Sequence, residues 1–548
     1  MGSRSFVSKV PFLSHRPVVM GTNGMVASAH PLASQAGIRM LMQGGNAIDA
    51  AVATAAVLNV VEPEMSGLGG DAFLLIFMKK KNELRALNGT GAAPYEAKRE
   101  FFLNDGIPRK GIRSVSTPGA LDSWMTALET YGTMTLKQVF QPAIEYAEEG
   151  FPITERLAQA IQTESTNFSL YPTSSKIFLK YGNTPKAGQI LIQKDLAGTF
   201  KKIADGGREA FYKGEIAKEI IRFSKEQGGL LSERDFAEQR SRWDEPISTT
   251  YRGYTVHEFP PNSSGHILLQ ELNIVELFDM KQLGHYTADS IHMMVEAKKL
   301  AFADRERYNA DPEYTDIPLK EMISKEYARK QVTRIQMNLA ATEIPPGNPR
   351  KASSDTTYFA VVDKEGNAVS HIQSLNMLFG SGVVAGNTGI LLNNRMTYWH
   401  LEESHVNRLE PGKRVRHTMN PPMVFKDGKL FMVFGTPGGD YQVQTNLQVL
   451  TNVIDFGMDI QEAIEAPRWR SDVSGTLTNY PHTGETALIM EDRVPPDVRE
   501  DLARKGHLIR VVGGWEGGCN AQGIIIDPES GALMGGSDPR RASYTIGW

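Results

Sequence analysis

Cysteine is almost absent from this chain, because Cys519 is the only one among 548 residues. No disulfide can form within the chain, and no cluster of thiolates can hold a structural metal ion. A single thiol leaves the redox state of the compartment undecided. Long basic blocks are lacking too, since 59 Lys and Arg are interspersed with 63 Asp and Glu. This charge balance is unlike that of proteins that follow a phosphate backbone, so we expect no nucleic-acid partner.

The sequence also lacks a hydrophobic run long enough to cross a membrane. Its most apolar stretch, Ala50 to Val61, is rich in alanine and has only about half of the ~20 residues that a membrane span needs. Asp49 and Glu62 bound this stretch, so we interpret it as a buried helix and expect no membrane association. The first residues, MGSRSFVSKVPFLSHRP, lack the apolar segment of a secretory signal, which predicts a cytoplasmic location.

Hydrophobic periodicity predicts a mixture of helices and strands, which is an α+β fold. Apolar residues from Pro31 to Leu41 suit a helix that ends at Gly44-Gly45, and Asn46 is placed to cap a second helix. Further elements are expected as follows: strands at 72–77 and 85–90, a mostly helical span over 120–335 that includes a helix at 290–309, and an extended interruption at 251–264.

A proline-rich linker interrupts the pattern at residues 339–355, which read LAATEIPPGNPRKASSD. Directly after it, β-branched and aromatic residues from Thr356 to Val362 predict a strand. The turn sequence DKEGN follows, and a second strand is expected from Ala368 to Gln373. A β-hairpin is therefore predicted to begin at Thr356. Beyond it we expect strands at 422–425 and 430–434 and a helix at 441–454.

Two glycine-rich loops, SGLGGD at 66–71 and GTPGGD at 435–440, lack the spacing of phosphate-binding loops. We interpret both first as tight turns. In the second loop, however, Gly438 and Gly439 precede a predicted helix, and the free N–H groups at a helix start suit a developing oxyanion.

Two other clusters carry weaker signals. His400, Glu402, Glu403 and His405, in YWHLEESH, lack the His-Glu-x-x-His register of zinc enzymes. We interpret them as a polar loop with solvated charges and expect no metal there. The run SSGH at 263–266 lacks the Gly-x-Ser-x-Gly turn of serine hydrolases, which argues against a serine nucleophile.

Thr356 stands where an N-terminal nucleophile would be exposed if the chain were cut after Asp355. A threonine hydroxyl is a weak nucleophile without a base, but a free α-amine on the same residue titrates near ~8 and accepts its proton. Cleavage would therefore create the general base. From these residues alone, an ordinary strand start is the simpler interpretation.

Several motifs together resemble the γ-glutamyltransferase family of N-terminal nucleophile hydrolases, over about Gly21 to Arg541. Residues 29–70 are similar to the opening of the family's large subunit, and DTTYFAVVDKEGNAVS at 355–370 is similar to the start of its small subunit. Other motifs follow in the family's order: VEAKKLAFADR, LFGSGVVAGNTGILLNN, TPGGD, EAIEAPRWR and GGSDPR.

This resemblance implies a four-layered αββα fold and autocatalytic cleavage into a large subunit, 1–355, and a small subunit, 356–548, which stay together as one intertwined unit. It implies a small-molecule amide substrate, no separate cofactor and no metal, and it is compatible with a homo-oligomer. The roles it assigns are these: nucleophile, Thr356; its neighbour, Thr357; a hydroxyl near the nucleophile's amine, Ser374; an oxyanion pair, Gly438 and Gly439; an arginine for an α-carboxylate, Arg99; further substrate contacts, Asn376 and Thr418.

The predicted acyl pocket departs from the family pattern. Tyr398 stands where the family has an acidic residue that binds the α-amino group, Arg395 replaces a glutamine, and His417 replaces a serine. Desolvating an ammonium without an anion is costly and Arg395 adds repulsion, so we expect weakened γ-glutamyl recognition. The resemblance is thus to members with a diverged pocket, similar to cephalosporin or glutaryl acylases and oxamate amidohydrolases.

We hypothesise an enzyme that acts on amides of small carboxylate-bearing acyl groups such as glutaryl, succinyl or oxalyl. Two alternatives stay open. Glu402, Glu403 or Asp440 could supply the anion from another position, which would restore hydrolysis or transfer of γ-glutamyl groups from glutathione or glutamine. The chain could also be an unprocessed relative that binds a ligand without catalysis.

Overall fold

The computed structural model describes residues 14–341, 355–472 and 487–548. The helices are α1 (Pro31–Met42), α2 (Ala47–Val61), α3 (Ala120–Tyr131), α4 (Leu136–Glu149), α5 (Glu155–Ser169), α6 (Pro172–Phe178), α7 (Lys194–Tyr212), α8 (Glu215–Glu226), α9 (Glu233–Glu238), α10 (Gly265–Val275), α11 (Met280–Leu283), α12 (Ala288–Tyr308), α13 (Leu319–Met322), α14 (Lys325–Val332), α15 (Tyr441–Ile454), α16 (Ile460–Glu465) and α17 (Pro496–Arg504).

The strands are β1 (Val19–Gly21), β2 (Gly24–Ser28), β3 (Asp71–Met78), β4 (Glu83–Gly89), β5 (Phe151–Pro152), β6 (Ile190–Leu191), β7 (Arg242–Asp244), β8 (Ile247–Tyr251), β9 (Tyr254–Glu258), β10 (Asp355–Asp363), β11 (Ala368–Asn376), β12 (Met423–Lys426), β13 (Lys429–Gly435), β14 (Trp469–Ser471), β15 (Leu488–Glu491), β16 (Ile509–Val512), β17 (Gln522–Ile526), β18 (Leu533–Ser537) and β19 (Tyr544–Gly547).

Two seven-stranded antiparallel sheets form the centre of the molecule. Sheet A has the strand order β1-β18-β17-β13-β12-β9-β8, and sheet B has the order β19-β2-β10-β11-β3-β4-β7. The predicted hairpin, β10 and β11, therefore lies in the middle of sheet B, with β2 and β3 on its two sides. Strands from both sides of the Asp355 boundary are interleaved in this sheet, because β2 lies between β19 and β10, and the hairpin of β10 and β11 lies between β2 and β3.

Alternate residues of β10 face two different hydrophobic cores. Tyr358 and Ala360 belong to the core between the sheets, whereas Phe359 and Val361 belong to the core beneath α1 and α2. A third core joins sheet A to α10, α12 and α15. The Thr356 hydroxyl lies beside that of Ser374, on the face of β11 that also carries Ile372 of the core between the sheets, so Thr356 faces this space. This order of helices, sheet, sheet and helices confirms the predicted four-layer αββα fold.

Most of the predicted elements are present, with small shifts at their ends. The helix hairpin is α1 and α2, and the Asn46 side chain caps α2 as expected. The predicted helix at 441–454 coincides with α15, and the predicted strand at 72–77 is β3 with one further residue at each end. Of the predicted linker, residues 342–354 lie outside the described ranges.

No helix within the described ranges is both long enough and apolar enough to cross a membrane. The cytoplasmic location, the division into two subunits at Asp355 and the homo-oligomer stay predictions.

Candidate active site

Thr356 lies near the start of β10, at an irregularity in its pairing with β11. One residue of β10, Thr356, lies opposite two residues of β11, Ser374 and Leu375. Such a bulge turns side chains away from the regular direction of the strand. The hydroxyl of Thr356 is 3.4 Å from that of Ser374, whose oxygen also accepts the N–H of Asn376 at 2.7 Å. The predicted nucleophile and the predicted neighbouring hydroxyl are thus brought together, and both are buried.

Thr357 points to the opposite side of sheet B, toward the end of α2. Its hydroxyl donates a hydrogen bond to Glu62 Oε2 at 2.8 Å. Two residues further on, burial and the charge of Glu62 raise the pKa of the Glu64 carboxyl to about 8. Glu62, which lies in a buried pair of carboxyl groups with Glu64, therefore helps to hold the strand that carries Thr356.

Gly438 and Gly439 form the turn that joins β13 to α15. Their φ angles are 128° and 59°, which residues with a side chain rarely adopt. A Cβ on Gly438 would lie 2.5 Å from Cys519 Sγ, so there is no space for a side chain. Neither glycine N–H donates a hydrogen bond to another described residue. This turn thus has the free donors that an oxyanion needs.

Two contacts position this turn. A Cβ on Gly435, the last residue of β13, would lie 2.5 Å from the ring of Tyr358, so β13 ends against β10 close to Thr356. Asp440, at the start of α15, forms a buried ion pair with Arg305 of α12. The start of α15 is therefore held against both β10 and α12.

Arg395 and His417 share a buried carboxylate that the sequence argument did not include. Arg395 Nε donates to Asp71 Oδ2 at 3.2 Å, and His417 Nε2 lies 3.8 Å from the same oxygen. The other oxygen, Asp71 Oδ1, accepts the N–H of Gly91 at 2.8 Å. The expected repulsion between Arg395 and an ammonium took no account of Asp71, which pairs with Arg395.

Burial also determines the charge of these groups. It raises the pKa of the Asp71 carboxyl, an effect that the charge of Arg395 opposes. Burial, followed by repulsion from Arg395, lowers the pKa of His417 well below its ordinary value of 6.5. His417 is therefore a neutral imidazole at neutral pH.

Several buried polar atoms of this region have no hydrogen-bond partner among the described residues. They are Arg395 Nη2, Asn376 Oδ1 and both ring nitrogens of His417. Asn376 also has a φ of 89°, unusual for a residue with a side chain. Its Nδ2 donates to Thr397 Oγ1 at 2.9 Å. Buried polar groups without partners are costly, and they are typical of sites that receive a polar ligand.

Tyr398 lies at the centre of the predicted pocket and is fully buried. The guanidinium of Arg395 is 4.8 Å from the centre of its ring, and its hydroxyl is 3.4 Å from Thr418 Oγ1. His417 contacts it edge-on. Four predicted pocket residues are thus in one cluster: Arg395, Tyr398, His417 and Thr418.

Arg99 lies at the edge of this cluster and is about one-quarter exposed. Its Nη1 donates to the carbonyl oxygen of Leu401 at 3.1 Å, and Nη2 lies 3.6 Å from Glu403 Oε2. Within the described ranges, no hydrogen bond or ion pair joins it to another predicted site residue. The neighbouring Phe102 packs in the same small core as Tyr398.

Three residues that position this site were not predicted as site residues from the sequence: Glu62, Asp71 and Arg305. Each lies in a motif that was noticed for another reason. Glu62 marks the end of α2, Asp71 ends a glycine-rich turn, and Arg305 ends VEAKKLAFADR. Only the fold brings Glu62 to the strand of Thr356, Asp71 to the predicted pocket and Arg305 to the start of α15.

The interpretation of YWHLEESH as a solvated polar loop is wrong for His400, which is 4% exposed. Its ring stacks on that of His405 with 3.5 Å between centres. Both come close to Glu306, but Arg416 donates to Glu306 at 3.0 Å and lies 3.3 Å from His400 Nε2. A guanidinium therefore lies within this group of candidate ligands, which disfavours a cation there.

Comparison with known proteins identifies the family. The family model described as Gamma-glutamyltranspeptidase matches residues 33–548. The chain belongs to the gamma-glutamyltranspeptidase family. It is 41% identical over 531 residues to the glutathione hydrolase-like YwrD proenzyme of Bacillus subtilis (strain 168), covering 96% of this chain and 99% of that protein. It is 39% identical over 547 residues to the glutathione hydrolase proenzyme of Escherichia coli (strain K12), covering 95% and 91%.

A solved structure resembles nearly the whole chain. The cephalosporin acylase from Bacillus halodurans superposes with a TM-score of 0.90 at 38% sequence identity, covering 98% of each chain. This member of the gamma-glutamyltranspeptidase family is therefore an enzyme with an N-terminal nucleophile hydrolase fold, as the sequence motifs predicted. The roles of individual site residues stay predictions.

Proposed function

We propose that this enzyme is a self-cleaving amide hydrolase whose Thr356 forms an acyl-enzyme with small acyl groups that carry a carboxylate. The observation that carries the proposal is the position of Thr356 opposite the bulge of β11, facing the space between the sheets. The end of β13 lies against the same stretch of β10, and the glycine turn follows directly. A nucleophile and an oxyanion site thus lie at one end of the two sheets.

Self-cleavage follows from the chemistry of this position. The Thr356 hydroxyl attacks the carbonyl carbon of Asp355, so a C–O ester bond forms as the C–N peptide bond breaks, and the nitrogen takes up the hydroxyl proton. Water then hydrolyses the ester. The products are a carboxylate on Asp355 and a free α-amine on Thr356, and they define a large subunit of 1–355 and a small subunit of 356–548.

Substrate turnover then uses the new amine as the base. It accepts the proton of Thr356 Oγ, which attacks the amide carbonyl, and it returns the proton to the departing amine. The N–H groups of Gly438 and Gly439 would stabilise the oxyanion, a contribution of about 10²–10³ in rate for one donor. Water, or an acceptor amine, resolves the acyl-enzyme. No cofactor takes part.

The pocket supports an acyl group with a carboxylate and without an α-amine. Arg395 Nη2 is a buried cationic donor without a partner among the described residues, and a carboxylate is the natural acceptor for it. Tyr398, at the position of the family's acidic residue, offers no charge for an ammonium. Arg99 at the pocket edge adds a second cation.

Asp71 favours a second candidate function, which is hydrolysis or transfer of γ-glutamyl groups. Its buried carboxylate is within reach of His417 and Arg395 and supplies an anion that the altered position 398 does not. Asp71 would then bind the α-ammonium of a γ-glutamyl group, as the family's acidic residue does.

Two measurements test the proposal. A denaturing gel with N-terminal sequencing of the smaller band should show a new terminus at Thr356; a single full-length band would instead support a non-catalytic binding relative.

Glutaryl and γ-glutamyl p-nitroanilides share a leaving group and differ only in the α-amine. We expect a higher kcat/KM for the glutaryl compound, whereas equal or higher γ-glutamyl turnover would favour the second function.

A further inference from the structure

His292, Glu296 and His507 form a buried cluster away from the residues of the candidate active site. His292 and Glu296 lie one turn apart on α12, and His507 follows α17. Nδ1 of His292 is 2.8 Å from Nε2 of His507. One ligand atom from each of the three residues lies within 4.8 Å of the other two.

The tautomer of His292 is fixed by its second nitrogen. Nε2 lies 2.8 Å from the carbonyl oxygen of Gln336, which can only accept, so Nε2 carries the hydrogen. Nδ1 then presents a lone pair toward His507. A histidine that donates one N–H to a backbone carbonyl and offers its other nitrogen is the usual arrangement of a metal-binding imidazole.

The carboxylate is held in a similar way. Glu296 Oε2 accepts the N–H of Ala341 at 3.2 Å, and Oε1 accepts from Lys299 Nζ at 2.6 Å. The nearby ammonium of Lys505 is 2.8 Å from Asp289. Lys505 therefore has a carboxylate partner outside the cluster, whereas Lys299 is paired with Glu296, the candidate ligand, and would compete with a metal for it.

We propose that His292, Glu296 and His507 bind a zinc ion or a similar divalent metal with nitrogen preference. Two imidazoles and one carboxylate are a common zinc ligand set, with water in the fourth position. Ligand atoms of a tetrahedral zinc site lie about 3–3.5 Å apart, so a bound metal would require the three side chains, now within 4.8 Å of one another, to shift. Imidazole ligands favour zinc, copper or nickel over magnesium and calcium.

The metal would stabilise the position of residues 336–341, which precede Asp355 in the chain. Backbone groups of this segment already contact the cluster at Gln336 and Ala341. If the chain is cut after Asp355, a part that rests on the proposed function, His292 and Glu296 belong to the large subunit and His507 to the small one. The metal would then link the two subunits.

The test is a zinc titration by calorimetry of the full chain after metal removal with a chelator. We expect one zinc per chain, and His507→Ala and Glu296→Gln should each weaken binding at least about tenfold, since each removes one ligand. His405→Gln is the matched control, because His405 belongs to the other histidine cluster. Absence of zinc binding, unchanged binding in His507→Ala, or loss of binding in His405→Gln would overturn the proposal.

The visible absorption of bound Co²⁺ provides a second measurement, which distinguishes loss of the metal site from a folding defect. Co²⁺ bound in the wild-type cluster should give the visible absorption of a tetrahedral nitrogen and oxygen site, and His507→Asn should abolish it while the far-UV spectrum is kept. Lys299→Met should tighten zinc binding, because the ammonium competes for Glu296; weaker binding would contradict a metal at Glu296. Measuring Thr356→Ala alongside wild type separates metal binding from self-cleavage.

Discussion

The strand that carries Thr356 and the turn that carries Arg395 and Tyr398 are held in different ways. β10 is hydrogen-bonded along both edges, to β2 and β11, in the middle of a seven-stranded sheet. The Arg395–Tyr398 segment is a single 3-10 turn, held mainly by side chains such as that of Asp71. A rigid strand suits the reacting group, and a turn tolerates substitution. If Thr356 is the nucleophile and this turn lines the acyl pocket, as proposed, substitutions in the turn would change acyl selectivity without changing the reacting group.

The largest effect is expected on the strand side of this comparison. Thr356→Ala removes the nucleophile of both reactions, so the chain should stay in one piece and hydrolysis should fall by about 10⁴–10⁶-fold. Thr356→Ser is the matched control, since it keeps a hydroxyl and should retain cleavage. A gel and a hydrolysis assay check both variants. Cleavage in Thr356→Ala would show that another residue is the nucleophile.

Substitution in the glycine turn should reduce the rate of hydrolysis nearly as much as substitution of Thr356. Gly438→Ala places a side chain at a φ of 128° and against Cys519 Sγ, so the turn must shift. We expect kcat to fall about 10²–10³-fold, as for the loss of one oxyanion donor. Gly428→Ala is the control, because Gly428 also has a positive φ, 73°, but open space around it. It should cost about 1 kcal/mol of stability and leave kcat unchanged.

Changes in the turn should alter selectivity and leave self-cleavage intact. The double variant Arg395→Gln with Tyr398→Asp supplies an anion for an α-ammonium and removes the cation beside it. We expect the ratio of γ-glutamyl to glutaryl kcat/KM to rise about 10–100-fold, which corresponds to about 1.4–2.8 kcal/mol. The matched pair, Arg395→Gln with Tyr398→Asn, has the same shape without the charge. An equal ratio in both double variants would exclude Tyr398 as the selectivity determinant.

The smallest effect concerns the pH dependence of stability, which should be the same for a buried histidine beside β10 and for one beside the Arg395–Tyr398 turn. Burial lowers the pKa of His371 on β11 to about 3, and the pKa of His417 is lowered as well. Below about pH 6.5 the unfolded chain binds protons that these folded imidazoles do not, so their contribution to stability is present above 6.5 and is lost as the pH falls. Each contributes a slope of about 1.4 kcal/mol per pH unit.

Urea unfolding between pH 5 and 6.5 checks this expectation. His371→Gln and His417→Gln should each flatten the dependence of the unfolding free energy on pH by that amount, while only His417→Gln should change the preference among acyl groups. If neither variant alters the slope, the two histidines are not neutral in the folded protein.

The hairpin that begins at Thr356 and the glycine turn could be predicted from the sequence because their signals are local, whereas the role of Thr356 as nucleophile came from the family resemblance. β-branched residues, a turn sequence and a second strand define the hairpin within about 20 residues, and Gly438-Gly439 directly precede α15. The pocket could be predicted only by residue type. Asp71 is 324 residues from Arg395, and Glu62 is 295 residues from Thr357. No periodicity or spacing relates such distant residues, so their charges could not be paired before the fold was known.

The interleaving of strands from the two parts of the chain in sheet B has a consequence for biosynthesis. β2, β3, β4 and β7 come from before Asp355, and β10, β11 and β19 come from it or after it. A chain cut at that point would already have its two pieces woven together, so they would never have to find each other by diffusion. Each molecule would contain one copy of each piece at any expression level, and two separately synthesised pieces would each expose unsatisfied strand edges prone to aggregation.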